Sequence, residues 1–184
     1  AKGVKRKRGD VDPKDATTLM LRNIPNGVTR DKLVDVLKAE GLVDDVDFVY
    51  VPTNFERKAN FGYAFVNLNS VAAAQKFREA LEGFERWPSD STADKACEVN
   101  VGDSCQGLQD HIERYRNSPL MHESVDDMHR PAIYLRGVRQ PFPKPTRALK
   151  VPRVRRRLKS EGKAAEEDAA LSGDAEDSDG EGEG

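Results

Sequence analysis

Residues 60–68, NFGYAFVNL, carry aromatic rings at every second position, Phe61, Tyr63 and Phe65, with Gly62, Ala64, Val66 and Leu68 between them. In an extended strand successive side chains point to opposite faces, so the rings share one face and the small or aliphatic residues the other. Rings turned into a core only pack. Rings left facing solvent can stack on planar ligands, and a nucleic-acid base on such a ring gains on the order of 1–3 kcal/mol. Residues of fitting chemistry lie elsewhere in the chain. In TLMLRN, Met20 and Arg22 alternate with Leu19 and Leu21. A thioether can lie against a base, and a guanidinium can pair with a phosphate or stack as a plane. Glu98 and Asn100 alternate with Cys97, Val99 and Val101, so they can offer hydrogen bonds to base edges. Arg57 and Lys58, in the polar loop before the ring-bearing stretch, can clamp a phosphate backbone.

Whether the rings face solvent depends on the elements around them. Residues 18–23 read as a strand with Leu19 and Leu21 on one face, broken by Pro25-Asn26-Gly27. Thr29 is a fitting N-cap for a helix over 30–40, where Leu33, Val34, Val36 and Leu37 recur at helical spacing and Gly41 provides the stop. Residues 47–52, DFVYVP, read as a second strand. Ser70 can cap a helix over 71–82 with an apolar stripe of Ala73, Phe77, Ala80, Leu81 and Phe84, and residues 97–101 form a last strand. The order is β-α-β-β-α-β, an α+β arrangement. Two helices can cover only one face of a four-stranded sheet. Gly62 and Ala64 suit that covered face, together with Leu19, Leu21, Val99 and Val101. The rings are then expected on the open face, beside Met20 and Arg22.

One segment can close that face. Residues 107–117, GLQDHIERYRN, place Leu108, Ile112 and Tyr115 at helical spacing before Pro119. Such a helix can lie across the open face, where the rings would only pack, or sit on its edge. Edge packing that leaves the central rings exposed is expected, with Arg114, Tyr115 and Arg116 available to widen the surface. Residues 132–135, AIYL, read as a short extra strand.

The stretch 61–68 resembles the octapeptide signature of RNA recognition motif domains, K/R-G-F/Y-G/A-F-V-x-F/Y, matching at Gly62, Tyr63, Ala64, Phe65 and Val66. It departs at Phe61, where a cation is usual, and at Leu68, where an aromatic is usual. Residues 19–24 are similar to the family's first-strand hexapeptide, with Met20 where an aromatic usually stands. TTLMLRNIPN, NFGYAFVNL, CEV, NSPLM and RPAIYL together resemble the C-terminal motif of Mei-two-like RNA-binding proteins, over about residues 17–136. The resemblance implies a ferredoxin-like sandwich, the RNA recognition motif (RRM) fold, with a C-terminal helical extension. It also implies single-stranded RNA as partner and a role in post-transcriptional regulation. Single strands are the expected substrate because an A-form duplex hides its base edges. The expected RNA-binding set is Tyr63, Phe65, Met20, Arg22, Phe61, Asn100, Glu98, Lys58 and Arg57. With Phe61 in place of a cation and Met20 in place of an aromatic, it should stack bases with less grip on phosphate than its relatives have. The alternative is a module of the same fold that binds a protein partner.

Charge divides the 184 residues. Residues 1–14 carry +4, 144–163 carry +8 and 164–184 carry −9, leaving −5 for residues 15–143. The expected organisation is a basic disordered tail (1–16), an RRM domain with its extension (17–140), a basic linker (141–163) and an acidic disordered tail (164–184). An acidic body does not by itself grip phosphate strongly. Lys5–Arg8 and residues 153–159, RVRRRLK, can serve as nuclear import signals, phosphate clamps or solvated linkers. A nuclear or cytoplasmic location is expected, the nucleus favoured. Ser178 in the acidic end is a candidate phosphorylation site. The chain starts at Ala1 rather than Met, which admits a fragment of a longer protein. No apolar run approaches the ~18–20 residues of a membrane span. Catalysis, metals and cofactors are not expected: Cys97, Cys105, His111, His122 and His129 fit no metal-ligand spacing, and no phosphate-binding Gly-rich loop is present. Asp44, Asp45 and Asp47 read as solvated loop acids.

Overall fold

The computed structural model describes residues 11–88, 93–102 and 105–153. In chain order these form β1 (Thr18–Arg22), α1 (Arg30–Ala39), β2 (Val46–Tyr50), β3 (Thr53–Asn54), β4 (Ala59–Asn60), β5 (Tyr63–Leu68), α2 (Val71–Leu81), β6 (Glu98–Val101), α3 (Leu108–Tyr115), β7 (Ala132–Leu135) and β8 (Val138–Gln140). Both expected caps form: Thr29 Oγ1 accepts the Lys32 N–H at 3.2 Å, and Ser70 Oγ accepts the Ala73 N–H at 3.1 Å. Helix α1 ends in a Schellman turn, with Gly41 at φ +71° donating to Lys38 O and Leu42 donating to Leu37 O.

The main sheet is antiparallel, in the order β6-β1-β5-β2-β7-β8. Its first four strands are the expected ferredoxin-like sheet. The register pairs Leu19 with Val66 and Val101, and Leu21 with Ala64 and Val99. These side chains meet Leu33, Leu37, Phe77 and Leu81 from the two helices in the larger core. The extra strand expected at 132–135 is present and pairs with β2 through Phe48–Ile133 and Val49–Ala132. It continues into a hairpin whose turn residues, Arg136 and Gly137, sit at φ +49° and +79°. Two positive φ values give a turn whose twist matches that of the flanking strands.

Gly62 plays a different part from the one its parity suggests. It precedes β5, has φ +90°, and a Cβ placed there would meet nothing within 4 Å. Backbone conformation, not close helix approach, requires glycine here. Asn60 holds this bend: its Oδ1 accepts the Gly62 N–H at 2.7 Å, while its Nδ2 donates to Pro25 O and Val28 O at 2.7 and 2.8 Å.

The extension is tied to α1 by Arg30, which is only 3% exposed. Its guanidinium donates to Asp127 O at 2.6 Å, to Arg130 O at 2.8 Å and to the carboxylates of Asp31 and Asp127. Asp127 in turn accepts both ends of the Arg139 fork at 2.8 and 2.9 Å. Arg139 first, and Arg30 after it, hold its carboxyl well below the usual carboxylate range, against the opposing effect of burial. Arg30→Met keeps the apolar stem but removes the guanidinium that donates to the Arg130 carbonyl and to the Asp127 carbonyl, which retains only the Arg130 N–H. It is expected to cost about 2–3 kcal/mol, read by chemical denaturation. Among the described residues no helix is long and apolar enough to cross a membrane.

Candidate nucleic-acid interface

The face of the sheet away from α1 and α2 carries three cross-strand rows. The first runs through Thr18, Asn67, Phe48 and Ile133, the second through Asn100, Met20, Phe65 and Tyr50, and the third through Glu98, Arg22 and Tyr63. Every sequence-derived candidate on the strands lies on this face. Helix α3 crosses it rather than sitting at its edge. The His111 ring stacks on Phe48 with centroids 4.2 Å apart and planes 13° apart, and Tyr115 lies 5.1 Å from Tyr50. Phe48 and Tyr50 are thereby sealed, at 0% and 1% exposure, in a second core completed by Tyr115 and Leu120. The expectation of edge packing with exposed central rings is corrected by this contact. The alternation of Phe48 and Tyr50 with Val49 was the available signal: it puts two further rings on the open face, more apolar area than a solvated surface retains.

A polar chain pins the start of α3. Thr18 Oγ1 donates to Asn67 Oδ1 at 2.8 Å and accepts the Gly107 N–H at 3.1 Å; His111 Nε2 lies 3.1 Å away. Since the hydroxyl proton is used on Asn67, the network assigns the His111 proton to Nε2. Nδ1 is then an acceptor with no partner among the described residues, a smaller penalty than a stranded N–H. Asn67 Nδ2 donates onward to Asp47 at 2.7 Å, so Asp47 is part of this network and not a solvated loop acid. Gln106 closes the other side, its Oε1 accepting the Thr17 and Thr18 N–H groups and its Nε2 donating to Thr18 O and Gly102 O.

Burial, and secondarily the charge of Arg114, lower the His111 pKa from 6.5 to about 4. Between those values the unfolded chain binds the proton and the folded chain resists it. The contribution of neutral His111 is therefore complete above pH 6.5 and is lost as pH falls towards 4, by about 3 kcal/mol. Asp47, raised by burial, acts in the opposite sense across its own titration. Denaturant melts are expected to show stability falling from pH 7 to 4.5 in the native chain, with a clearly smaller slope in His111→Gln.

The remaining half of the face, over β6, β1 and β5, holds the groups left for a ligand. Arg22 and Glu98 are exposed, and Met20, Asn100, Phe61 and Phe65 are half-buried. Phe65 meets Tyr63 edge-on at 5.7 Å, and Phe61 stacks beside Tyr63 at 6.4 Å. Tyr63 is 8% exposed, far less open than a free stacking ring. Among the described residues the side chains of Arg22, Glu98 and Asn100 make no hydrogen bond or ion pair. Arg57 and Lys58 are exposed in the β3–β4 loop, apart from these rows; the loop is shaped by Asn54 Oδ1 accepting the Glu56 and Arg57 N–H groups, and Phe55 packs edge-on to His129 at 5.7 Å. Arg116 is engaged, donating to Lys144 O at 2.7 Å, and Arg114 lies over Tyr115 and donates to Cys105 Sγ. Residues 142–146 lie along the end of α3, with Phe142 in the second core and Thr146 paired to Asn117. The Lys5–Arg8 run, most of the 153–159 run, the acidic end and Ser178 lie outside the described residues.

The model of the family described as RNA recognition motif 2 matches residues 16–116. Meiosis protein mei2 of Schizosaccharomyces pombe is 34% identical over 149 residues, covering 78% of this chain and 18% of that protein. Protein MEI2-like 4 of Arabidopsis thaliana is 34% identical over 132 residues, covering 69% of this chain and 14% of that protein. A solved structure of the Rna15 RRM with bound RNA (GU) shares 14% identity, covers 53% of this chain and 95% of that chain, and superimposes with a TM-score of 0.41. The chain spans less than a fifth of the length of these two curated relatives.

Proposed function

This chain belongs to the RNA recognition motif 2 family, as a domain of the Mei2-like type, and from that premise we propose that it binds single-stranded RNA on the β6–β1–β5 half of its sheet. The observation that carries the reading is the coexistence, on one face, of a half-buried Phe65 and Met20 with Arg22, Glu98 and Asn100, whose side chains make no hydrogen bond or ion pair among the described residues. Exposed donors and acceptors around an apolar patch suit a flat ligand with polar edges, which is what an unstacked base is. Phe65 is the leading stacking ring, Met20 lies beside it, and Tyr63 and Phe61 back it and border the strand's path. Arg57 and Lys58 contribute phosphate contacts from the β3–β4 loop. The action is binding, without a bond-making step, and serves post-transcriptional regulation; the two basic runs direct the protein to the nucleus.

The test is titration of the full chain with a random single-stranded RNA pool, alongside duplex RNA of equal length. Saturable binding of the single strand, with much weaker binding of the duplex, is expected. Failure to bind any single-stranded pool would overturn the reading in favour of a protein partner on the same face.

A further inference from the structure

We propose that the corner made by Glu98, Arg22 and Met20 reads a guanine base; this rests on the RNA-binding reading above. The register puts Arg22 directly opposite Glu98, and Met20 opposite both Asn100 and Phe65. Directly opposite residues on one face have Cβ atoms about 4.5–5.5 Å apart, and same-face neighbours along a strand are about 6.6 Å apart. A base lying over Met20 and the edge of Phe65 therefore has a guanidinium and a carboxylate within reach of its rim. Both belong to exposed side chains, and neither makes an ion pair among the described residues, although opposite charges facing each other across two strands ordinarily attract.

The two groups are complementary to one base. A carboxylate presents two parallel acceptors, and guanine alone offers two adjacent donors, N1–H and the N2 amino group. Uracil offers one N–H between two carbonyls that repel a carboxylate. Cytosine and adenine each offer an amino group next to a bare ring nitrogen. The guanidinium fork presents two parallel donors, which guanine meets with O6 and N7. Glu98 also decides what this corner does not take. Its charge repels phosphate, so a base edge rather than the backbone occupies the position, in keeping with the −5 of residues 15–143. Helix α3 restricts the choice further, because the rings of Phe48 and Tyr50 are sealed beneath it and cannot offer a competing platform.

Selection from a random single-stranded RNA pool, run on the full chain and on Glu98→Gln, tests the assignment. The native chain is expected to enrich sequences with guanine at one constant position. In Glu98→Gln, guanine at that position alone is no longer enriched. Replacing the selected guanosine with inosine, which lacks the N2 amino group, is expected to weaken native binding roughly fivefold or more and Glu98→Gln binding far less. Replacing it with 7-deazaguanosine should weaken native binding by a similar factor and Arg22→Ala binding far less. Enriched sequences without a constant guanine would overturn the guanine site and leave RNA binding standing. A guanine preference untouched by Glu98→Gln and Arg22→Ala would overturn the assignment to these residues. No enrichment from any pool would overturn both readings. Both side chains are exposed, so the variants are expected to fold, checked by melts matching the native chain.

Discussion

Phe65→Ala is expected to weaken single-stranded RNA binding by roughly 5- to 150-fold, the equivalent of about 1–3 kcal/mol for one lost base stack. The ring sits on β5, between β1 and β2, opposite Met20 on one side and Tyr50 on the other. On the Tyr50 side it borders the second core; on the Met20 side it faces the unsealed half of the sheet. Because it is half-buried, truncation also removes some packing, so the fold must be followed separately. Phe65→Leu makes the distinction: it retains apolar volume but has no π face. Native-like melting with affinity reduced almost as far as in Phe65→Ala is the expected pattern, with Phe65→Tyr close to native. Native affinity in Phe65→Ala would show that this face is not the stacking platform.

Phe48→Ala is expected to have the largest effect on stability, about 3–5 kcal/mol. The ring has no exposed surface and is sandwiched between the sheet and α3, its centroid 4.2 Å from that of His111 and 5.9 Å from that of Tyr115. Its removal empties the floor on which an eight-residue helix rests. A helix that short is marginal alone and owes its persistence to packing. Hydrogen exchange in Phe48→Ala should show α3 amides losing protection ahead of those in β1 and β5. A loss below about 1 kcal/mol, with α3 still protected, would place the energetic anchor of the helix elsewhere.

Much of the scaffold was legible without coordinates. Thr29 and Ser70 cap their helices with their own hydroxyls, within three residues, and Gly41 ends α1 through its own φ. Strand alternation separated Leu19, Leu21 and Val99 from Met20, Arg22, Glu98 and Asn100, and the sheet keeps that division. These features are local: side-chain parity and cap chemistry act over a few residues, and two helices on one face decide which side is core. Gly62 was misread because parity counts positions and does not register a positive φ.

How much of the open face survives is a different kind of question. It is answered by contacts between distant parts of the chain: His111 with Thr18, 93 residues away, Asn67 with Asp47, and Arg30 with the extension across 97 and 100 residues. By itself, the sequence determined which side chains share that face. Tertiary structure alone decided that α3 seals Phe48 and Tyr50 while Arg22 and Glu98 stay exposed and Met20 and Asn100 half-buried on the same face. The physical reason is that two apolar surfaces far apart in sequence gain by leaving water together, and no local pattern in either one specifies the other.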